Sequence, residues 1–264
     1  MNAAGFSARL LQPLAAFLVA TVLALPALAA DDPHKVLFTY GGWDGHEPKA
    51  MRDLLVPWLE SEGFEVIVSD TLEPYADAGL MSQVDLVVQI WTMGEITEPQ
   101  LDGLVSAVEN GMGIAGWHGG LGDAFRKAPR YQYMIGGQWV EHPGNDGVPY
   151  RVNITDHDDP ITAGLEDFDV ASEQYYMHVD PNNKVLATTT FNGEHDSWVK
   201  DAVMPVAWKR RHGEGRVFYT SLGHQAKVFE TREALTILKR GILWASRSKY
   251  EDTPDLVSPR YPTR

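Results

Sequence analysis

Four short apolar runs, separated by hydrophobic residues at helical spacing, restrict the fold of this chain more than any other feature. Residues 35–40, KVLFTY, run into Gly41-Gly42, as a strand does on entering a glycine-rich loop. Met51, Leu54, Leu55, Trp58 and Leu59 follow on one helical face, with Pro57 placed to kink that helix. Residues 65–70 and 85–91 read as the second and third strands. Leu101, Leu104, Val105 and Val108 mark the next helix, which Asn110-Gly111 stops, and residues 112–118 form a fourth strand. This alternation predicts an α/β domain with a mostly parallel sheet and helices on both faces.

Farther on the pattern changes. Residues 125–147 are aromatic, glycine-rich and irregular, as a pocket-forming excursion would be. Strand-like runs return at 149–155, 173–179 and 185–191, and residues 203–208 and 215–221 are expected to pair across the Arg210–Gly215 turn. A last amphipathic helix is expected over 231–247, with Leu235, Leu238, Ile242 and Ala245 on one side. The segment 249–264 is polar and proline-containing and is expected to be loosely held.

The N-terminus carries the parts of a secretory signal. Arg9 is the only charge before an apolar stretch from Leu14 to Leu25, Pro26 breaks it, and Ala27-Leu28-Ala29 supplies small residues for cleavage. The run is short for a bilayer and is followed at once by Asp31 and Asp32, which argues against a retained anchor. Residues 1–29 are therefore expected to be removed, leaving one domain over 30–248, and the mature protein is expected to be periplasmic or secreted. The chain has no cysteine, so neither a lipoprotein anchor nor a thiol nucleophile nor a thiolate metal site is available. With 36 acidic against 22 basic residues the net charge is −14, which disfavours nucleic acid and anionic membranes as partners.

In open parallel sheets ligands sit beyond the carboxyl ends of the strands. That rule selects the loops Gly41–Pro48, Trp91–Glu95 and His118–Asp123, two of which hold histidines, His46 and His118. Another strand ends in His224, the excursion contributes His142, and Glu173 and His178 bracket the run EQYYMH. Each histidine alone fits a structural role, whereas several at strand ends point to a shared site. His34, His157, His195 and His212 lie in polar, turn-like stretches and are read as solvated. Trp43, Trp91, Trp117, Trp139 and Trp208 lie at or near strand ends and in the excursion, where aromatic faces can cover a sugar ring, while Trp58 and Trp244 pack on helices. There is no G-x-S-x-G elbow, no Walker loop, no dinucleotide fingerprint and no H-E-x-x-H, and no nucleotide cofactor is expected.

These pieces in this order resemble the ThuA-like (trehalose utilisation) family of the class I glutamine amidotransferase-like superfamily. The resemblance rests on GGW with His46, GIAGWHGG, IGGQWVEHP, Glu173-Gln174-Tyr175, MPVAWKRRHGEGRVFYTSLGH and GILWA, and spans residues 35–246. It implies a flavodoxin-like three-layer α/β/α fold. It also implies that the tight turn at His118 matches the elbow at which the amidotransferases present a cysteine. Family members often have His-Pro where this chain has Asp159-Pro160, so no role of that histidine carries over. The family is linked to the breakdown of disaccharides and glycosides through 3-keto intermediates, and some members bind a divalent metal; neutral imidazoles with one carboxylate suit a zinc-like ion. On this basis His118, Glu173 and His224 are expected to be catalytic, and His118, His142, Glu173 and His224 to hold the metal. Trp43, His46, Trp91, Trp117, Trp139, Tyr175 and His178 are expected to meet a carbohydrate. The alternatives are a non-catalytic carbohydrate-binding protein on the same fold and a hydrolase that uses the metal to activate water.

Overall fold

The computed structural model describes residues 34–253, with Met1 and Leu256 in addition. The expected signal segment lies outside the described residues, and among those described no helix is long and apolar enough to cross a membrane.

The first half follows the alternation closely. β1 (Lys35–Gly42) leads to α1 (Pro48–Ser61), β2 (Glu65–Ser69), the short α2 (Ala78–Met81), β3 (Leu86–Thr92), α3 (Glu98–Glu109) and β4 (Gly113–Trp117). Pro48 opens α1, where its missing N–H costs nothing, and the helix runs on through Pro57. Thr97 and Gln100 cap the start of α3 reciprocally in a capping box.

Beyond β4 come α4 (His118–Gly122), α5 (Pro129–Ile135), β5 (Gly137–Glu141), β6 (Val148–Ile154) and β7 (Phe168–Ser172). Then follow β8 (Tyr176–Val179), β9 (Lys184–Thr190), β10 (Val203–His212), β11 (Gly215–Thr220) and α6 (Arg232–Ser246). The excursion at 125–147 is thus more ordered than its composition suggests. It supplies α5 and β5, and β5 pairs with β8 in a separate two-stranded sheet. The run expected at 173–179 divides, because Glu173 to Tyr175 leave strand geometry between β7 and β8.

The main sheet has nine strands in the order β2-β1-β3-β4-β11-β10-β9-β6-β7. It is mixed rather than mostly parallel. β2, β1, β3, β4 and β11 run parallel, and β10, β9, β6 and β7 extend the sheet through antiparallel pairings. The connections decide this. Helices separate the parallel strands, whereas β10 and β11 join through a tight turn at Gly213-Glu214, and such a turn can link only antiparallel neighbours.

Strand residues alternate between two cores. Val36, Phe38, Val88, Ala115 and Phe218 pack with Met51, Leu55 and Leu59 of α1 and with Ile237, Leu238 and Ile242 of α6. Leu37, Val87, Ile114 and Val217 pack with Leu101, Leu104 and Val108 of α3 and with Met134 and Ile135 of α5. Residues 249–253, the start of the expected loose tail, are tied to the domain. Lys249 Nζ donates to Val84 O, Tyr250 Oη bonds Asp85, and the Arg216 guanidinium donates to Thr253 Oγ1 and to the carbonyls of Glu251 and Asp252.

Candidate metal centre

The parallel strands end level with one another. Thr92, the last residue of β3, lies opposite Gly42 of β1, and Thr220 of β11 lies opposite Trp117 of β4. The residues just past these ends therefore converge. His46 comes from the turn after β1, His118 opens α4 directly after β4, His224 follows β11, and Glu173 enters from the break between β7 and β8. One donor atom from each lies within 4.8 Å of those of the other three, and all four side chains are buried.

Glu173 is the hub. Its Oε2 lies 3.0 Å from His118 Nε2, 3.3 Å from His224 Nδ1 and 4.0 Å from His46 Nε2. His142 Nε2 approaches the other oxygen, Oε1, at 3.7 Å and is the most exposed of the four imidazoles at 22 %. The rings are aimed by neighbours. His118 Nδ1 donates to the Ser221 carbonyl at 2.7 Å, and His46 Nδ1 bonds Thr92 Oγ1 at 2.7 Å. Tyr175 stacks on His118 with centroids 4.0 Å apart.

His118 has φ 46, left-handed backbone for a non-glycine residue, so the strand-to-helix elbow is held open at a conformational cost. Two buried groups hold it. Tyr219 Oη donates to His118 O at 3.1 Å, and Gln89 Nε2 donates to Gly120 O at 2.9 Å. Gln89 is itself fixed by Tyr75 and Tyr131.

The donor set fits a divalent cation. With Nδ1–H committed to a carbonyl, neutral His118 turns the bare lone pair of Nε2 toward a carboxylate oxygen 3.0 Å away. Two lone pairs face each other at that distance comfortably only with a proton or a cation between them. Burial opposes the proton. It depresses the pKa of His118, and it pushes His46 down to about 2, helped by the nearby His118 and His224. For Glu173 burial acts upward, but the neighbouring His118 and His224 outweigh it and hold the carboxyl below its usual range. His224 Nδ1 is buried without a hydrogen-bond partner, as a ligand atom would be. Neutral imidazoles around one carboxylate, oriented from behind by a carbonyl and a hydroxyl, suit zinc-like ions.

The expected ligand set is altered in one place: His46, expected to meet substrate, completes the group of four, and His142 stands outside it. Of the remaining expected substrate contacts, Trp43 is 46 % exposed with its ring 4.8 Å from His46, and Trp139 lies 5.5 Å from His142 and 6.3 Å from Tyr175. Trp117 does not belong with them. It is fully buried in the α1/α6 core against Phe229, because its position in β4 turns it the same way as Ala115. Trp208 is likewise core, its Nε1 donating to Ile135 O. Trp91 is half-buried beside Gly41 and Gly94. His178 is exposed, since β8 turns it to the face opposite buried Met177. His157 and His195 are exposed as expected, whereas His34 stacks on Tyr250 and His212 pairs with Glu109. Thr92, Ser221, Tyr219 and Gln89 carried no mark as positioning residues. Only Thr92 sat in a loop that the strand-end rule selects.

Fold and site define a class: an α/β domain with a buried three-histidine, one-carboxylate cluster at the carboxyl end of its parallel strands. The chain belongs to the ThuA family (trehalose utilisation), whose model matches residues 35–245. Among solved structures it is similar to a putative ThuA-like protein from Bacteroides uniformis, at 18 % identity and TM-score 0.69, covering 84 % of this chain and 95 % of that one. It is also similar to a putative ThuA-like protein from Parabacteroides merdae, at 21 % identity and TM-score 0.64, covering 84 % and 93 %. No curated protein matches the chain in sequence.

Proposed function

We propose that the protein is an exported, metal-dependent enzyme of carbohydrate catabolism that cleaves 3-keto-glycosides of trehalose-like sugars. Elimination of the glycosidic oxygen is followed by hydration. The observation that carries this reading is the Glu173 carboxyl met by His46, His118 and His224 on one side and by His142 on the other.

A 3-keto group acidifies the hydrogen on C2, so a base as mild as imidazole can remove it. His46, His118, Glu173 and His224 would hold a divalent ion, which would supply positive charge to the site. His142, the most exposed imidazole of the site, takes the C2 proton on Nε2 in this reading. The C1–O bond breaks as a C1=C2 double bond forms, and the proton passes to the departing oxygen. Water then adds across the double bond, hydroxyl to C1 and hydrogen to C2. Trp43 and Trp139 flank the histidines as aromatic surfaces for the sugar.

The two helix-covered cores support a flavodoxin-like three-layer arrangement for the domain. The apolar N-terminal run and Ala27-Leu28-Ala29 support export. The test is metal analysis of the purified protein, followed by turnover of 3-keto-trehalose with and without chelator. Chelator-sensitive turnover that disappears in His118→Ala is expected. Sugar binding without turnover would make the protein a binding module, and full turnover in metal-free protein would overturn the metal's role.

A further inference from the structure

Glu173, Gln174 and Tyr175 are consecutive and all buried, at 6 %, 5 % and 3 % exposure. A strand sends neighbouring side chains to opposite faces, and here the chain leaves its ladders to bury all three. β7 pairs with β6 as far as Ser172, and β8 pairs with β5 from Tyr176 onward. The carboxyl at the hub of the centre is thus carried on three residues outside both ladders. His118, His224 and His46 reach its Oε2 from three different loops, so a backbone that turned there would lose all three at once.

Side chains hold the segment instead. Gln174 Nε2 donates to Thr189 Oγ1 at 2.8 Å and reaches Thr190 O at 3.4 Å. Thr189 is itself buried in β9, where it pairs with Met204 of β10 inside the nine-stranded sheet. Tyr150 Oη, from β6, donates to Glu173 O at 3.3 Å. Glu173 therefore sits between a restrained carbonyl and a following residue anchored in the main sheet. The Gln174 bond is the shorter of the two, and it acts on the residue whose direction decides where the chain goes after Glu173. A site of several converging ligands keeps its geometry only when such supports lock each of them.

We propose that Gln174 is a positioning residue: held by Thr189, it fixes the direction in which Glu173 enters the centre. The inference rests on the reading of that centre as a metal site, but half of its test is made without metal. Crystal structures of the metal-free full chain and of its Gln174→Ala variant compare the separation of Glu173 Oε2 from His118 Nε2, 3.0 Å here. The carboxyl is expected to move by more than about 0.5 Å, the tolerance within which such constellations work. Zn²⁺ affinity, read by competition with a chromophoric chelator, is expected to fall about 10–100-fold, as when a ligand loses its support. Thr189→Val keeps the shape of the partner and removes its hydroxyl. It should give the same two results and serves where Gln174→Ala does not fold, as judged by circular dichroism. Thr189→Ser, which keeps the hydroxyl, should match wild type in both. A carboxyl that stays in place, or an affinity that does not fall, in a folded Gln174→Ala or Thr189→Val variant overturns the proposal. A loss in Thr189→Ser as large as in Thr189→Val also overturns it, since packing alone would then account for the effect. Wild-type protein that takes up no Zn²⁺ would sink the metal reading, and the crystal comparison would still decide the positioning.

Discussion

Substituting Gly119 by alanine tests the centre with one carbon atom. A β-carbon at Gly119 lies 2.8 Å from His46 Nδ1, closer still to Cε1, and 3.0 Å from Thr92 Cγ2. Carbon atoms pack favourably at about 3.5–4.0 Å, so the ring must retreat by roughly 1 Å. His46 is only 4 % exposed and is bonded to Thr92, so the retreat breaks that bond or opens the elbow. Gly119 has no positive φ, and alanine gains about 0.5–1 kcal/mol over glycine inside a helix. Overpacking costs about 1–3 kcal/mol. The net loss of stability is then no more than about 2.5 kcal/mol, or about 5–10 °C for a domain of this size. Metal affinity responds more steeply. Disturbing the groups that orient a ligand weakens binding by about 10–100-fold, and here the ligand ring itself moves. The assay is competition for Zn²⁺ against a chromophoric chelator, with thermal melts of the metal-free protein alongside. A tenfold or greater loss of affinity in a folded variant is expected. In the His46→Ala background the same change should add little to the loss of affinity, because the displaced ring has gone and only the Thr92 Cγ2 contact remains. Affinity within twofold of wild type in Gly119→Ala would refute the assignment of His46 as a ligand.

Three other outcomes are expected. His224→Ala should lower Zn²⁺ affinity more than the about 10–100-fold typical of a supporting residue, while His142→Ala should leave affinity nearly unchanged and still abolish turnover. Direct titration of both variants separates the roles. Lys209→Met leaves Asp159, 3 % exposed and now paired with Lys184 alone, and should cost about 3 kcal/mol in urea melts; adding Asp159→Asn should restore part of it. The Asp156 pKa is depressed from the ordinary value of 3.8: burial would raise it, but Lys184 and the N–H groups of Asp158 and Asp159 outweigh burial. A depressed folded-state pKa stabilises fully above the unfolded value and is lost as pH falls through the folded one. Stability should therefore fall from about pH 5 downward, and Lys184→Met should flatten that fall in urea melts between pH 5 and 2.5.

The elements legible in the sequence are those whose period is strong. β1, β3, α3 and α6 carry long apolar patterns, and their bounds lie within a few residues of the expected ones. β7 is harder to see, because FDVAS has two large apolar residues and an aspartate between them, while the aromatic run after it looks more strand-like. That run breaks because Glu173 turns inward to the histidines. The mixed character of the sheet depends on which edge the later hairpins join, a long-range matter that local pattern does not encode. At the site, lying near a strand end brought His46, His118 and His224 into view, but parity decides which side chain faces the opening. Trp117 immediately precedes His118 and is nevertheless core, and His178 sits one residue past buried Met177 on the opposite face.

The elbow shows how a strand-to-helix turn can aim a histidine into a shared site. A nucleophile and a metal ligand make the same structural demand: one side chain held beyond a strand end, in a fixed direction, with little freedom to relax. Here the left-handed backbone at His118 sets the direction, and Tyr219 and Gln89 restrain the carbonyls of His118 and Gly120. The Ser221 carbonyl then fixes the proton on Nδ1 and leaves Nε2 bare. A cysteine in that place would need a base beside it, whereas this histidine needs only the carboxylate and imidazoles already converging on it. If that is the logic of the turn, Tyr219→Phe should keep the fold and loosen the elbow. The zinc affinity of this variant should fall about tenfold, and the metal-free protein should lose only about 1 kcal/mol, the worth of one hydrogen bond. Zinc affinity within twofold of wild type in a folded Tyr219→Phe variant would show instead that Tyr219 serves the core and not the centre.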